Sequence, residues 1–229
     1  NFMMRNEQPN PAFTDYTYAS GTLKPKAPLV SWGTVFLDYD NDGWLDLFYG
    51  NGWLPFGFAM NCGLCSPAEQ AKQNPEQQAD MLLHNTGKGT FTDVSQDAGV
   101  DDLASTRSAQ VADLDGDGFL ELITGAISGP PRIYHNGCNS NAWVEVYLVG
   151  KTDNRQGVGA RVRVWADGVL YAHTLEAGST GLWGSNEPMV HFGLGQALAI
   201  SKLEVHWPSG QVQTFNNLQV RQRLKVVQQ

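Results

Sequence analysis

Two short runs hold the residues best suited to chemistry: DYDNDGWLD, from Asp38 to Asp46, and DLDGDGFLE, from Asp113 to Glu121. Both read DxDxDGxx[DE]. Carboxylates at alternate positions repel one another at ordinary Coulomb distances, so this spacing serves to surround a hard cation. Calcium takes a flexible cage of oxygen ligands, whereas magnesium prefers to keep its waters, and the donors here are all oxygens. Glycine at the sixth position permits the sharp turn that folds positions 1, 3 and 5 around one point. The first run therefore predicts Asp38, Asp40, Asp42, the carbonyl of Trp44, and Asp46 as ligands. The second predicts Asp113, Asp115, Asp117, the carbonyl of Phe119, and Glu121. Two calcium ions would bring the formal charge from −8 to −4.

An EF-hand shares the first half of this pattern but needs a bidentate Glu at the twelfth position and a helix on each side. The twelfth positions are Tyr49 and Thr124. The flanks TVFL, LDLFY, AQVA and FLELITGA are rich in β-branched, aromatic and apolar residues, so both loops are predicted to join strands.

The other reactive residues form no comparable pattern. Cys62 and Cys65 lie in CGLC, which Ser66 excludes as a haem attachment site and which lacks the βαβ context of a redox motif. Cys62, Cys65, Cys138 and His135 have a spacing that zinc tolerates. However, His135 and His84 occupy equivalent places in a repeat, where the first copy has Arg5, and this favours an architectural role. A disulfide within CGLC, or from Cys138 to either of the other two, is the competing expectation. His173, His191 and His206 lie in strand-like stretches without a GxSxG, HExxH or phosphate-loop companion, so no catalytic residue is predicted. Trp44, Trp53, Trp183 and Trp207 offer faces for stacking on a sugar, with core packing as the alternative.

Composition sets the frame that must position these loops. Among 229 residues, 25 Gly and 11 Pro with only 17% charged residues favour many short strands. The 15 basic against 23 acidic residues include no basic cluster, which argues against nucleic acid or an anionic membrane as partner. No apolar run approaches the ~20 residues of a membrane-spanning helix. The opening NFMMR has neither an initiator Met nor signal-peptide architecture, so the chain reads as processed or as a fragment.

The segments MMRNEQPNPAFTDYTYASG, MLLHNTGKGTFTDVSQDAGV and the shorter RIYHNG line up. Repeats of this kind stack supersecondary units, and about four short strands per unit make a propeller blade. An insertion at 51–81 interrupts the first unit, and its part from Ser66-Pro67 onward carries helix-start signals. Beyond it, 144–149, 160–165 and 203–207 alternate apolar and polar residues at period two, giving strands with one wet face. Asp167-Gly168 and Ser209-Gly210 stand where hairpin turns belong, and a sandwich or barrel of about seven strands follows.

The Asp-rich loops within SWGTVFLDYDNDGWLDLFYGNG and RSAQVADLDGDGFLELITGA resemble FG-GAP/VCBS repeats of integrin-type β-propellers. VEVYLVGKTDNRQGVGARVRVWADG, EAGSTGLWGSNEPMVHFGLGQ and LEVHWPSGQVQTFNNL resemble the ASPIC/UnbV domain of cartilage-acidic-protein-like secreted proteins and bacterial homologues. The resemblance implies an all-β chain with two four-stranded calcium-binding blades at 1–140 and a C-terminal β domain at 141–229. Such propellers have about seven blades, which leaves upstream blades missing or supplied by neighbouring chains. It also implies a secreted, periplasmic or cell-surface, non-enzymatic protein for adhesion or extracellular assembly. An open sheet edge would let it self-associate into an oligomer or filament, with an extracellular protein or glycan as partner. The alternatives are an accessory part of a larger extracellular enzyme and a carbohydrate-binding module.

Overall fold

The computed structural model describes residues 3–7, 9, 12–22, 29–52, 78–127, 129–137, 139–178 and 184–229. Cys62, Cys65, Cys138, Trp53, Trp183 and the helix expected after Ser66 lie outside them.

The described chain is all-β. A hairpin of β1 (Met4–Asn6) and β2 (Phe13–Asp15) leads through one helical turn, α1 (Thr17–Ser20), into an antiparallel sheet. This sheet runs in chain order through β3 (Ser31–Leu37), β4 (Asp46–Asn51), β5 (Met81–Asn85) and β6 (Phe91–Asp93). The next sheet has β7 (Thr106–Ala112), β8 (Glu121–Ala126) and β9 (Arg132–Tyr134). Among the described residues three strands stand there instead of the four expected. After β9 the chain passes into the C-terminal region without adding a Phe-Thr-Asp strand like β6. The N-terminal hairpin repeats the β5–β6 pairing, with Arg5 opposite Thr14 in one and His84 opposite Thr92 in the other.

Both acidic runs close hairpins, as their flanks predict: Leu37 pairs with Asp46 across one loop and Ala112 with Glu121 across the other. Strand β4 lies between β3 and β5, and all six of its residues are buried. The two sheets pack through Val35, Leu37, Phe48 and Leu82 on one side and Ala109, Leu120 and Leu122 on the other. Gly33 permits the close approach, because a Cβ there would stand 2.6 Å from the Ala109 nitrogen.

The C-terminal region forms two more sheets. One orders β12 (Val169–Thr174), β11 (Arg161–Ala166), β14 (Ile200–His206) and β15 (Val212–Leu218); the other orders β13 (Met189–Gly195), β10 (Ala142–Val149) and β16 (Gln222–Val227). Asp167 and Gly168, both at positive φ, make the β11–β12 turn, and the bond from Trp207 N–H to the Gln211 carbonyl closes β14–β15. The sheets share one apolar core that includes Val144, Val146, Val162, Phe192, Ile200 and Leu203. Strand β11 alternates as predicted, but β10 corrects the expectation of a wet face: Val144, Glu145 and Val146 are all fully buried. One face of β10 meets the sandwich core, and the Glu145 face is covered by β16 and the Asp113 loop through Arg223. Trp207 is buried with its Nε1–H donating to Gln213, which removes it from the sugar-stacking candidates.

Candidate metal centre

In each loop the chain turns its Asp side chains inward by hydrogen bonding its own N–H groups. Asp38 accepts from Asp42 N–H at 3.0 Å and from Gly43 N–H at 2.9 Å; Asp113 accepts from Gly116 and Gly118, both at 2.7 Å. The turn needs left-handed backbone at the fourth and sixth positions: Asn41 and Gly43 in one loop, Gly116 and Gly118 in the other. Oxygens of Asp38, Asp40 and Asp46 come within 4.8 Å of one another, and those of Asp113, Asp115 and Asp117 do the same. Asp42 joins Asp40 and His84 in an overlapping group, and Glu121 joins Asp115 and His135. Each of the eight predicted carboxylates thus lies in at least one such group, Asp42 through Asp40 and Glu121 through Asp115. Trp44 and Phe119 each direct their N–H to the Asp two residues earlier, at 2.8 Å. Their side chains part, with Trp44 exposed and Phe119 buried.

The role of two histidine–asparagine pairs is missed by the sequence reading. The β4–β5 register lays His84 Nδ1 3.1 Å from Asp46, while Asn85 donates its N–H to Asp46 at 2.7 Å. His135 stands equivalently, 3.3 Å from Glu121 and 3.6 Å from Asp115. The signal was the repeated His-Asn itself, which only strand pairing ties to the ninth loop position. Among the described residues, His135 therefore faces the acidic loop.

The electrostatics of the first loop disfavour its ionised carboxylates when they stand alone. Burial pushes the Asp38 carboxyl up to about 8 against the pull of the Gly43 N–H, and Asp42, Asp46 and Asp40 add to the rise. Burial likewise raises Asp46 to about 8, although Asn85 and Tyr39 donate to it. A bound divalent ion reverses this logic by stabilising the ionised form. The donor set fits calcium: hard carboxylate oxygens, several per loop, on a turn whose backbone is already fixed.

Residues 73–124 match the FG-GAP-like repeat family, and residues 150–229 match the ASPIC and UnbV family. An FG-GAP-like repeat is followed by an ASPIC and UnbV domain. The chain is 38% identical to cartilage acidic protein 1 of Mus musculus and of Homo sapiens over 79 residues, 34% of its own length and 12% of theirs. It is 30% identical to cartilage acidic protein 1 of Xenopus tropicalis over 190 residues, covering 79% of this chain and 26% of that one. The chain thus spans between 12% and 26% of the length of these curated relatives. The FG-GAP-like match contains the loop from Asp113, and the loop from Asp38 repeats it upstream. Among the described residues no helix is long and apolar enough to cross a membrane.

The ASPIC and UnbV domain and the strand before its match sit directly on both loops. Gly195 N–H donates to the Asn41 carbonyl at 2.9 Å, while Asn139 and Asn141 donate to that of Asp40. The Gly118 carbonyl accepts from Asn41 Nδ2 and from His191 Nε2, each at 3.0 Å, so it joins the two loops and the domain at one atom. Burial holds His191 down to about 4, well below its ordinary value, despite the Gly118 contact. Its contribution to stability is therefore complete above the ordinary value of 6.5 and is lost as pH falls towards 4. In His191→Gln the amide nitrogen falls near the place of Nε2 and can donate to Gly118, but does not titrate. Urea unfolding at pH 7 and pH 4 should show the stability difference between the proteins moving by about 2 kcal/mol against wild type on acidification.

Proposed function

We propose that the Asp38–Asp46 and Asp113–Glu121 loops each hold one calcium ion, with the Trp44 and Phe119 carbonyls completing the carboxylate sets. The observation carrying this reading is that on each of two equivalent hairpin turns three carboxylates cluster, Asp38, Asp40 and Asp46 on one and Asp113, Asp115 and Asp117 on the other, with Asp42 and Glu121 in overlapping groups beside them. Calcium here is structural. It offsets the repulsion among buried carboxylates and fixes the turns on which the C-terminal domain rests, so binding contributes to folding stability.

The sheets bearing the loops act as blades of a propeller-type array in an extracellular, non-enzymatic protein of adhesion or assembly, presenting loops to a protein or glycan. The names of the relatives and the FG-GAP-like match support this setting. Strand β9 pairs only with β8 among the described strands, leaving an edge to which a second copy can add. Thermal unfolding with calcium, with magnesium and with excess chelator tests the reading. Calcium should raise the midpoint by roughly 10 °C or more, magnesium by much less, and Asp40→Ala with Asp115→Ala should remove the shift. Identical midpoints in all three media would exclude structural calcium. Light scattering on the same samples tests assembly, which a uniform monomer in calcium would rule out.

A further inference from the structure

The two loops have the same carboxylate pattern but different neighbours. Among the described residues, the ion pairs of the first loop are made by His84, and the second loop has the equivalent His135 together with Arg223. Arg223 arrives from far along the chain because β16 runs parallel to β10 and pairs Arg223 with Glu145. Its Nε donates to Glu145 Oε2 at 2.5 Å, and its Nη2 donates to Asp113 Oδ2 at 2.6 Å. We propose that Arg223 is a built-in counter-cation of the second loop, competing with the metal for Asp113 and making the two calcium sites unequal, the first tight and the second weak. This deepens the calcium reading and rests on it.

Acceptor capacity supports the inequality. A carboxylate oxygen offers about two lone-pair directions. Asp38 gives one direction on each oxygen to a backbone N–H, leaving one on each for a metal. Asp113 Oδ2 accepts from both Gly118 N–H and Arg223, so both its directions are taken, and Oδ1 already accepts from Gly116. The second site therefore begins with one fewer open direction at its first ligand and with a fixed positive charge on that ligand. Nor can Arg223 swing aside freely. Glu145 is fully buried with its carboxyl beside that of Asp113, and losing Arg223 would leave the two acidic groups facing each other away from water.

Calcium titration of the full chain against a chelator of known affinity tests the proposal. Wild type should show two steps at least tenfold apart, and Asp115→Asn, at an exposed position, should remove the weaker one. The double variant Arg223→Gln with Glu145→Gln removes both charges without stranding either, and should tighten the weaker step at least tenfold while leaving the tighter step in place. Equal steps in wild type, loss of the tighter step in Asp115→Asn, or a weaker step unmoved or weakened in the double variant would overturn the assignment while leaving the calcium reading intact. Absence of any calcium binding would remove both. If the double variant fails to fold, wild type and Asp115→Asn still decide the matter.

Discussion

Asp46→Ala should cost about 4 kcal/mol of unfolding free energy in saturating calcium and only about 1 kcal/mol in excess chelator. Asp46 is wholly buried, and its two oxygens accept N–H bonds from Asn85 and Tyr39 as well as the contact with His84. Truncation leaves two half-buried donors without their acceptor, towards the lower end of the about 1–3 kcal/mol that a buried unpaired donor costs. Without metal, that loss is largely offset, because the substitution also removes a carboxylate that burial, with Asp40 and Asp42, has made costly to ionise. With calcium the offset disappears and a ligand is lost as well. Denaturant unfolding of wild type and variant in both media measures the difference; equal costs in the two would mean that Asp46 acts only as a turn acceptor.

The second large effect falls on Gly118, where Gly118→Ala should destabilise the protein by roughly 4 kcal/mol or more and release the C-terminal domain from the loops. Its φ of +87° is a conformation that a side chain strains, and an added Cβ would stand 1.8 Å from the Trp143 ring. Trp143 belongs to β10 and is itself buried, so it has no room to yield. The same glycine offers its carbonyl to Asn41 and His191. Hydrogen exchange should show protection falling in β10 and β13 together with both loops. Loss confined to the Asp113 loop would show that docking does not depend on this contact.

These two residues also mark what was legible in the sequence. The two acidic hairpin turns were, because DxDxDG is a local code: spacing, turn glycine and apolar flanks lie within a dozen residues of one another. Strands β11 and β14 were equally plain from their alternation, as was the Asp167-Gly168 turn. The burial of Glu145 was not, since VEVYLV alternates like a half-wet strand and only the parallel pairing of β10 with β16 brings Arg223 across it. The Gly118 junction was hidden for the same reason. Its partners Asn41, Trp143 and His191 are each distant in sequence, and no local pattern specifies which surfaces meet. The three-stranded second sheet was misread because the repeat runs on to His135-Asn136, the point at which the chain departs for the C-terminal domain.

The central claim is that the two acidic loops are calcium sites, and equilibrium dialysis of the full chain against calcium, with metal counted per polypeptide, tests it most directly. Two ions should be retained at saturation, falling to one in Asp40→Asn or in Asp115→Asn and to none when both are changed. Retention of no calcium by wild type, or a stoichiometry that neither substitution alters, would contradict it.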